Sequence, residues 1–182
     1  MGLEITALIS AAIGGALALL GVSLTNRSST ARLRLQLDHE AAQRKAQILR
    51  ERGEELYILT AQWLNGLTGY YLRMSSVMQG KLTYNQSLDL GIADGKANPV
   101  NFNRVELLIN VYFPSTREAY TRTTHARETL NEIAEAHKQA YKTGDVDGTK
   151  FLEPFSAAIM SINAEGAFLQ TQILESIRQI VP

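Results

Sequence analysis

Hydrophobic and polar positions divide the chain into one uncharged apolar run near its start and a series of amphipathic stretches after it. Residues 5–24 read ITALISAAIGGALALLGVSL and contain no charged residue. A helix needs about 20 apolar residues to cross the hydrocarbon core of a bilayer. Glu4 precedes the run and no lysine or arginine does, which is atypical of a cleaved secretory signal. The pattern therefore predicts an uncleaved transmembrane anchor over residues 1–26.

Basic residues follow the apolar run closely. Arg27, Arg32 and Arg34 are the first charged residues after it. Lysine and arginine beside a membrane span stay on the cytoplasmic side. We therefore expect a single-pass protein of the bacterial inner membrane, in contact with lipid through its anchor, with a cytoplasmic C-terminal domain. The absence of cysteine is compatible with a reducing compartment.

Small residues recur along one side of the predicted span. Ser10, Gly14, Ala18 and Gly21 follow one another at intervals of three or four residues. Such a stripe lets a second helix approach closely within a bilayer. The span is therefore expected to pack against other copies of itself, which predicts a homo-oligomer.

Beyond the span, apolar residues recur at seven-residue steps, which is typical of a helix with one apolar face. The series is Leu35, Ala42, Leu49, Leu56, Trp63, Tyr70 and Val77. Its first part is highly charged. Residues 27–52 therefore predict a juxtamembrane helical stalk that forms a coiled coil only in an oligomer. Gly53 is the predicted join between this stalk and the domain that follows it.

Turn and capping residues divide the rest of the chain into four further helices. Thr83 with Gln86, and Ser115 with Glu118, fit the capping-box pattern that opens a helix. The predicted helices cover residues 84–93, 102–113, 116–143 and 150–180, with a loop over 94–99 and a turn over 144–148. Pro154 fits the last helix only if it lies within the first turn.

No stretch shows the alternation of a β-strand, so the predicted fold class is all-α. The clearest seam belongs to the last helix and contains Phe155, Ile159, Ile162, Leu169, Ile173, Ile177 and Ile180. Three long helices and one or two short ones, each with an apolar face, predict an antiparallel helical bundle. The expected organisation is a transmembrane anchor over 1–26, a helical stalk over 27–52 and a cytosolic helical bundle over 53–182.

Composition limits the chemistry that the chain can carry. It has 18 basic and 18 acidic residues, a net charge of zero, no cysteine and three histidines. A neutral balance is not typical of a nucleic-acid-binding protein. A di-iron site of the ferritin type needs Glu three residues before His, but Arg122 and Ala134 hold those positions before His125 and His137. We therefore expect no metal, no cofactor and no nucleic-acid partner.

Particular side chains leave two interpretations open. Trp63, Tyr70 and Tyr71 are either an aromatic core or the wall of a ligand pocket, and their helical spacing favours the core. Arg104 and Glu106 either face solvent or pair with groups on neighbouring helices. A structural role is the favoured interpretation for both charged residues.

An arginine and a histidine lie close together in the predicted stalk. All-helical bacterial ribonucleases of the HEPN class carry an arginine, four to six residues and then a histidine. Arg34 and His39 fit this spacing, and so do Arg32 and His39. Chance alone often produces such a pair in a chain of this composition. A membrane-tethered HEPN-like ribonuclease, with Arg34 and His39 as catalytic residues, is therefore the alternative function.

Two segments carry a resemblance to other proteins. YNQSLDL at 84–90 and FNRVELLINVYFP at 102–114 resemble segments of small bacterial proteins with one N-terminal span and a cytosolic helical domain. This resemblance implies the same architecture and no particular activity. The layout is also similar to that of the membrane accessory protein of RNA-targeting type VI CRISPR systems. In that family a membrane segment and a helical domain assemble into a ring-shaped pore, which implies an oligomer here.

These features together predict a non-enzymatic, oligomerising single-span protein of the inner membrane. Its helical bundle is expected to mediate interaction with a protein partner. A membrane-active effector of stress or phage defence is one form of this function. The leading interpretation assigns no catalytic residue, and its functional residues are Ser10, Gly14, Ala18 and Gly21 in the predicted membrane helix.

Overall fold

Helices make up almost all of the computed structural model, which describes the backbone of residues 2–97 and 99–180. Side chains are described in this part except at residues 2–20, 23, 24 and 28. The helices are α1 (Gly2–Met78), α2 (Tyr84–Ala97), α3 (Phe102–Val111), α4 (Arg117–Lys142) and α5 (Thr149–Arg178), with a 3-10 turn at Pro114–Thr116. No strand occurs over the described ranges, so the predicted all-α class is confirmed.

The chain divides into two units, Met1–Gln47 and Ile48–Val181. The first unit is a stretch of α1, and the second contains the rest of α1 and helices α2 to α5. Helix α1 continues without a break through Gly53, where the sequence predicted a join. Over the described residues, no helix has the length and apolar character that crossing a membrane requires. Most of the predicted span at 5–24 lies outside the described side chains.

Two clusters of buried side chains form the core of the second unit. One contains Tyr71, Met74, Val77, Met78, Ala126, Leu130, Ala134, Phe155, Ala158 and Ile162. The other contains Leu56, Trp63, Val105, Leu108, Ile109, Phe113, Ala119, Leu169 and Ile173. Both α1 and α5 pass through both clusters, and Leu67 of α1 packs against each of them. The seam predicted for α5 is therefore confirmed.

The predicted opening of α2 is confirmed in atomic detail. The Thr83 amide donates a hydrogen bond to Gln86 Oε1 at 2.9 Å, and the Gln86 amide donates to Thr83 Oγ1 at 3.2 Å. The helix then runs four residues past its predicted end at residue 93. Arg73 of α1 holds this extension, because its Nη1 lies 3.3 Å from Asp94 Oδ2. Long-range ion pairing of this kind is not visible in the local sequence pattern.

Two predictions about the later helix starts are wrong. Ser115 and Glu118 form no capping box, because the 3-10 turn at Pro114–Thr116 moves the start of α4 to Arg117. Pro154 lies inside α5, beyond the first turn that begins at Thr149. Its missing amide leaves a carbonyl one turn earlier without an intrahelical donor. That part of the helix surface is exposed, so water can hydrate the carbonyl.

An ion pair ties α3 to α1. Arg104 Nε donates to Glu55 Oε1 at 2.6 Å, and Arg104 Nη2 donates to Glu55 Oε2 at 2.7 Å. Arg52 Nη1 also donates to Glu55 Oε2, at 2.9 Å. These hydrogen bonds, those of Arg104 first, lower the pKa of Glu55 to about 2. Of the two interpretations of Arg104, the structure thus shows the pairing with a neighbouring helix.

Close packing at Gly148 gives a stability prediction. A Cβ atom on Gly148 would overlap the backbone of Met78 at the end of α1, lying only 2.5 Å from the Met78 Cα. Backbone cannot move aside as a flexible side chain does, so Gly148→Ala should destabilise the fold by about 1–3 kcal/mol. Chemical unfolding of the full-length protein in detergent, followed by circular dichroism, measures this change.

Gly66→Ala is the matched control. Gly66 lies in α1 of the same unit, and a Cβ there would meet nothing within 4 Å. Alanine in an open helical position should stabilise the fold by about 0.5–1 kcal/mol. If both variants have the same midpoint of unfolding as the wild-type protein, the close approach of the α4–α5 turn to α1 does not limit the packing there.

Candidate functional site

A cleft of about 760 Å³ lies between α1, α2 and α4 of the second unit. Its lining consists of Tyr70, Met74, Tyr84, Asn85, Ser87, Leu88, Gly91, Asn131, Ala134, Glu135, Lys138, Tyr141 and Lys142. Ligand sites in proteins are typically clefts of about 300–1,000 Å³ with an apolar and aromatic lining and a few polar groups. In size and in lining, this cleft is therefore the candidate functional site among the described residues.

Helix α4 forms the charged wall of the cleft. Asn131, Glu135, Lys138 and Lys142 are spaced three or four residues apart, so their side chains emerge from one face of the helix. Ala134 lies on the same face and is buried in the core. The wall therefore changes from apolar at its base to charged at its rim.

Helix α2 forms the opposite wall. Tyr84, Asn85, Leu88 and Gly91 line the cleft at helical spacing. The capping box fixes the first turn of this helix. The Arg73–Asp94 ion pair holds its other end against α1. The ion pair therefore attaches the C-terminal end of this wall to α1.

A buried histidine supports the aromatic end of the cleft. His137 has no exposed surface, and its Nδ1 lies 2.7 Å from the hydroxyl oxygen of Tyr84. The rings of Tyr84, Tyr141 and Phe151 surround it with centroids 5.5, 6.3 and 5.2 Å away. Its Nε2 is buried without a hydrogen-bond partner among the described residues. The Tyr84 ring is thus positioned by a polar contact from beneath the cleft.

Burial sets the ionisation of these groups. It lowers the pKa of His137 below its ordinary value of 6.5, which favours the neutral imidazole. It raises the pKa of Tyr84 to about 12 and also raises that of Tyr70. The phenols therefore stay protonated near neutral pH. At the rim, Lys138 Nζ lies 3.5 Å from Glu135 Oε2.

The aromatic residues singled out in the sequence take different places. Trp63 and Tyr71 are 2% exposed and belong to the core, as their spacing favoured. Tyr70 is 37% exposed and lines the cleft. The sequence left open an aromatic core or a pocket wall, and on this one helix Tyr71 takes the first role and its neighbour Tyr70 the second. No local sequence pattern reveals the cleft itself, because its walls come from segments distant along the chain.

The predicted catalytic pair of the ribonuclease alternative lies on α1 in the first unit. Arg34 and His39 are both exposed. Five residues of α-helix rotate the second side chain by about 140° from the first, so the two side chains leave different faces. Arg32 and His39 share a face, about 10 Å apart along the axis. The Nε2 of His39 lies 2.9 Å from Gln43 Nε2.

The membrane-packing residues are described at one position. Ser10, Gly14 and Ala18 lie outside the described side chains. Gly21 is exposed, and a Cβ there would meet nothing within 4 Å. Over the described part of the chain, no three His, Cys, Asp or Glu side chains are grouped so that they could hold a metal ion.

Comparison with models of protein families, with curated proteins and with solved structures gives no match. The resemblance of residues 84–90 and 102–114 to small bacterial membrane proteins therefore stays a prediction. The cleft and the exposed surfaces of the helices are the observations that bear on function.

The Tyr84–His137 contact gives a testable prediction. Tyr84→Phe removes the hydroxyl and leaves His137 Nδ1 buried without its partner. An unsatisfied buried polar group costs about 1–3 kcal/mol, so the variant should unfold at lower denaturant concentration. Tyr141→Phe is the control, because the Tyr141 hydroxyl makes no hydrogen bond with the described residues while its ring packs beside the same histidine. Equal stability of the two variants would contradict the assigned role of the contact.

Wild-type stability should also depend on pH through His137. Its folded pKa lies below the ordinary 6.5, so the unfolded chain binds the proton more readily. The contribution of this group is therefore complete above about pH 6.5 and declines as the pH falls toward the lowered pKa. Unfolding measured at several pH values across this window, together with an NMR titration of His137, tests the sign.

Proposed function

We propose that the protein is a non-enzymatic, oligomerising, single-span protein of the bacterial inner membrane, whose cytosolic helical bundle mediates protein interaction. The observation that carries this proposal is a long exposed stretch of α1. Every residue from 29 to 45 is exposed, including Leu33, Leu35 and Leu37. A lone helix is only marginally stable in water, so this stretch is expected to gain a partner.

The apolar seam of α1 supports a second copy of the chain as that partner. Leu56 is completely buried by the bundle, Leu49 is half-buried, and Ala42 and Leu35 are exposed. The apolar positions of this seven-residue pattern thus become progressively less buried toward the N-terminus of α1. In a coiled coil, an identical helix supplies the missing cover.

The predicted span supports assembly within the membrane. Residues 5–24 are uncharged, and Arg27, Arg32 and Arg34 after them are exposed. The open surface at Gly21 leaves room for a neighbouring helix at the end of the small-residue stripe. A membrane-active effector of stress or phage defence is one form of this proposal, and it requires an oligomer because a single helix cannot enclose a path for water.

Apolar side chains on the bundle offer a surface for a protein partner. Leu72 of α1 and Leu88, Leu90 and Ile92 of α2 are all exposed. Only Ser87 of α2 is buried among the described residues of that helix. Leu88 and Ile92 are four residues apart and share one face of α2, and exposed apolar groups that lie together are typical of interaction sites.

The HEPN-like ribonuclease stays the alternative proposal. Arg34 and His39 lie in the exposed stretch and leave different faces of α1. RNA cleavage by the purified full-length protein, abolished in both Arg34→Ala and His39→Ala, would replace the non-enzymatic proposal.

Topology is the first test. A reporter fused after Pro182 should lie in the cytoplasm, because the basic residues after the span keep the C-terminal side of the chain on the cytoplasmic face of the membrane. Alkaline phosphatase and green fluorescent protein fusions read the two sides independently. High phosphatase activity from the Pro182 fusion would contradict the proposed orientation.

Self-association is the second test. Gly21→Leu places a bulky side chain on the predicted packing stripe, where the chain itself has open space. The variant should weaken assembly by about 1–2 kcal/mol per helix pair. Crosslinking in native membranes and the particle mass in detergent measure the change, and Gly14→Leu provides a second position on the stripe.

Gly95→Leu is the matched control for the assembly test. Gly95 lies in α2, and a Cβ there also meets nothing within 4 Å. It should leave the oligomer unchanged, since it lies far along the chain from the stripe. A monomeric wild-type protein in membranes would overturn the oligomer, whereas unchanged oligomers in both stripe variants would remove the stripe as its cause.

A further inference from the structure

Aromatic rings from three helices meet at the cleft between α1, α2 and α4. Tyr70, Tyr84 and Tyr141 line it. The centroids of the Tyr84 and Tyr141 rings are 5.0 Å apart in an edge-to-face arrangement, and the Tyr84 hydroxyl is engaged with His137 beneath. A tyrosine ring held in this way offers a π-face on which a flat heteroaromatic ring can stack.

Two side-chain amides line the same cleft from different helices. Asn85 stands on the α2 wall and Asn131 on the α4 wall. Both are exposed, and neither side chain has a hydrogen-bond partner among the described residues. An amide presents two donors and one acceptor oxygen, the combination that pairs with the edge of a nucleobase.

The rim of the cleft carries a surplus of positive charge. Lys138 and Lys142 lie one helical turn apart on α4, and Glu135 is the only carboxylate among the lining residues. Lys138 Nζ lies 3.5 Å from Glu135 Oε2. A hydrogen bond from Gln139, and then the charges of Lys138 and Lys142, lower the pKa of this carboxyl. Two positive charges against one negative charge leave the rim with a net attraction for an anionic group.

We propose that this cleft binds a nucleoside monophosphate. The base would lie against the tyrosine rings within reach of Asn85 or Asn131, and the phosphate would lie at Lys142 and Lys138. A ligand with an anionic group and no ring would leave the tyrosines and amides without a role. The proposal goes beyond the proposed function, because it concerns a site in the second unit and depends on neither the membrane span nor the oligomer.

The test uses calorimetric titration of the full-length protein in detergent with AMP, GMP, CMP and UMP. Each nucleotide is compared with its two parts, which are the matching nucleoside and inorganic phosphate, titrated separately. We expect at least one nucleotide to bind at least about tenfold more tightly than either of its parts, because the cleft engages both ends at once. Higher salt should weaken nucleotide binding and leave nucleoside binding unchanged.

Variants locate the binding in the cleft. The double variant Lys138→Gln, Lys142→Gln should weaken nucleotide binding about tenfold or more, because charge-assisted hydrogen bonds are lost, and should leave nucleoside binding unchanged. Tyr70→Leu should weaken both ligands. Lys96→Gln is the matched control, because Lys96 is an exposed lysine of α2 that does not line the cleft. Circular dichroism of each variant checks that the fold is kept.

Any one of three results would overturn the proposal. The first is that none of the four nucleotides binds at millimolar concentration. The second is that inorganic phosphate binds as tightly as the nucleotides, and the third is that the double lysine variant retains wild-type affinity for them. The particle mass of the same samples reports the oligomer separately. A failure of ligand binding is therefore distinguishable from a failure of the proposed assembly.

Discussion

The second unit depends on the burial of one face of α1. From Leu56 to Met78 this helix contributes to both core clusters, and α5 crosses both of them beside it. Helix α3 adds Val105, Leu108 and Ile109 to one cluster. Helix α4 adds Ala119 to that cluster, and it adds Ala126, Leu130 and Ala134 to the other. Because burial of apolar area is the main favourable term in folding, these contacts hold the unit together, and the Glu55–Arg104 ion pair fixes the position of α3 on it.

Helix α2 is held in a different way. Its one fully buried residue in the described part is Ser87, so apolar burial attaches it weakly. Its position is set by the Arg73–Asp94 ion pair and the Tyr84–His137 contact, while the capping box at Thr83 and Gln86 fixes only its own first turn. A helix attached by polar contacts at its ends leaves space beneath its middle. The cleft is a consequence of this arrangement, and so are the exposed leucines of α2.

The proposals for assembly and for ligand binding rest on different parts of α1. The stretch over 29–45 is exposed on every side, and its partner is expected to be another copy of the chain. The stretch that carries Tyr70 and Met74 forms the floor of the cleft.

The sequence by itself determined the all-α class, the seam of α5, the capping box at Thr83 and the core positions of Trp63 and Val77. These features depend on residues close together in the chain, and local periodicity reports them. Tertiary structure decided the rest. The extension of α2, the start of α4 after its 3-10 turn and the choice of Tyr71 over Tyr70 for the core depend on contacts with other helices. The cleft joins Tyr70, Tyr84 and Tyr141, which only packing of distant segments brings together.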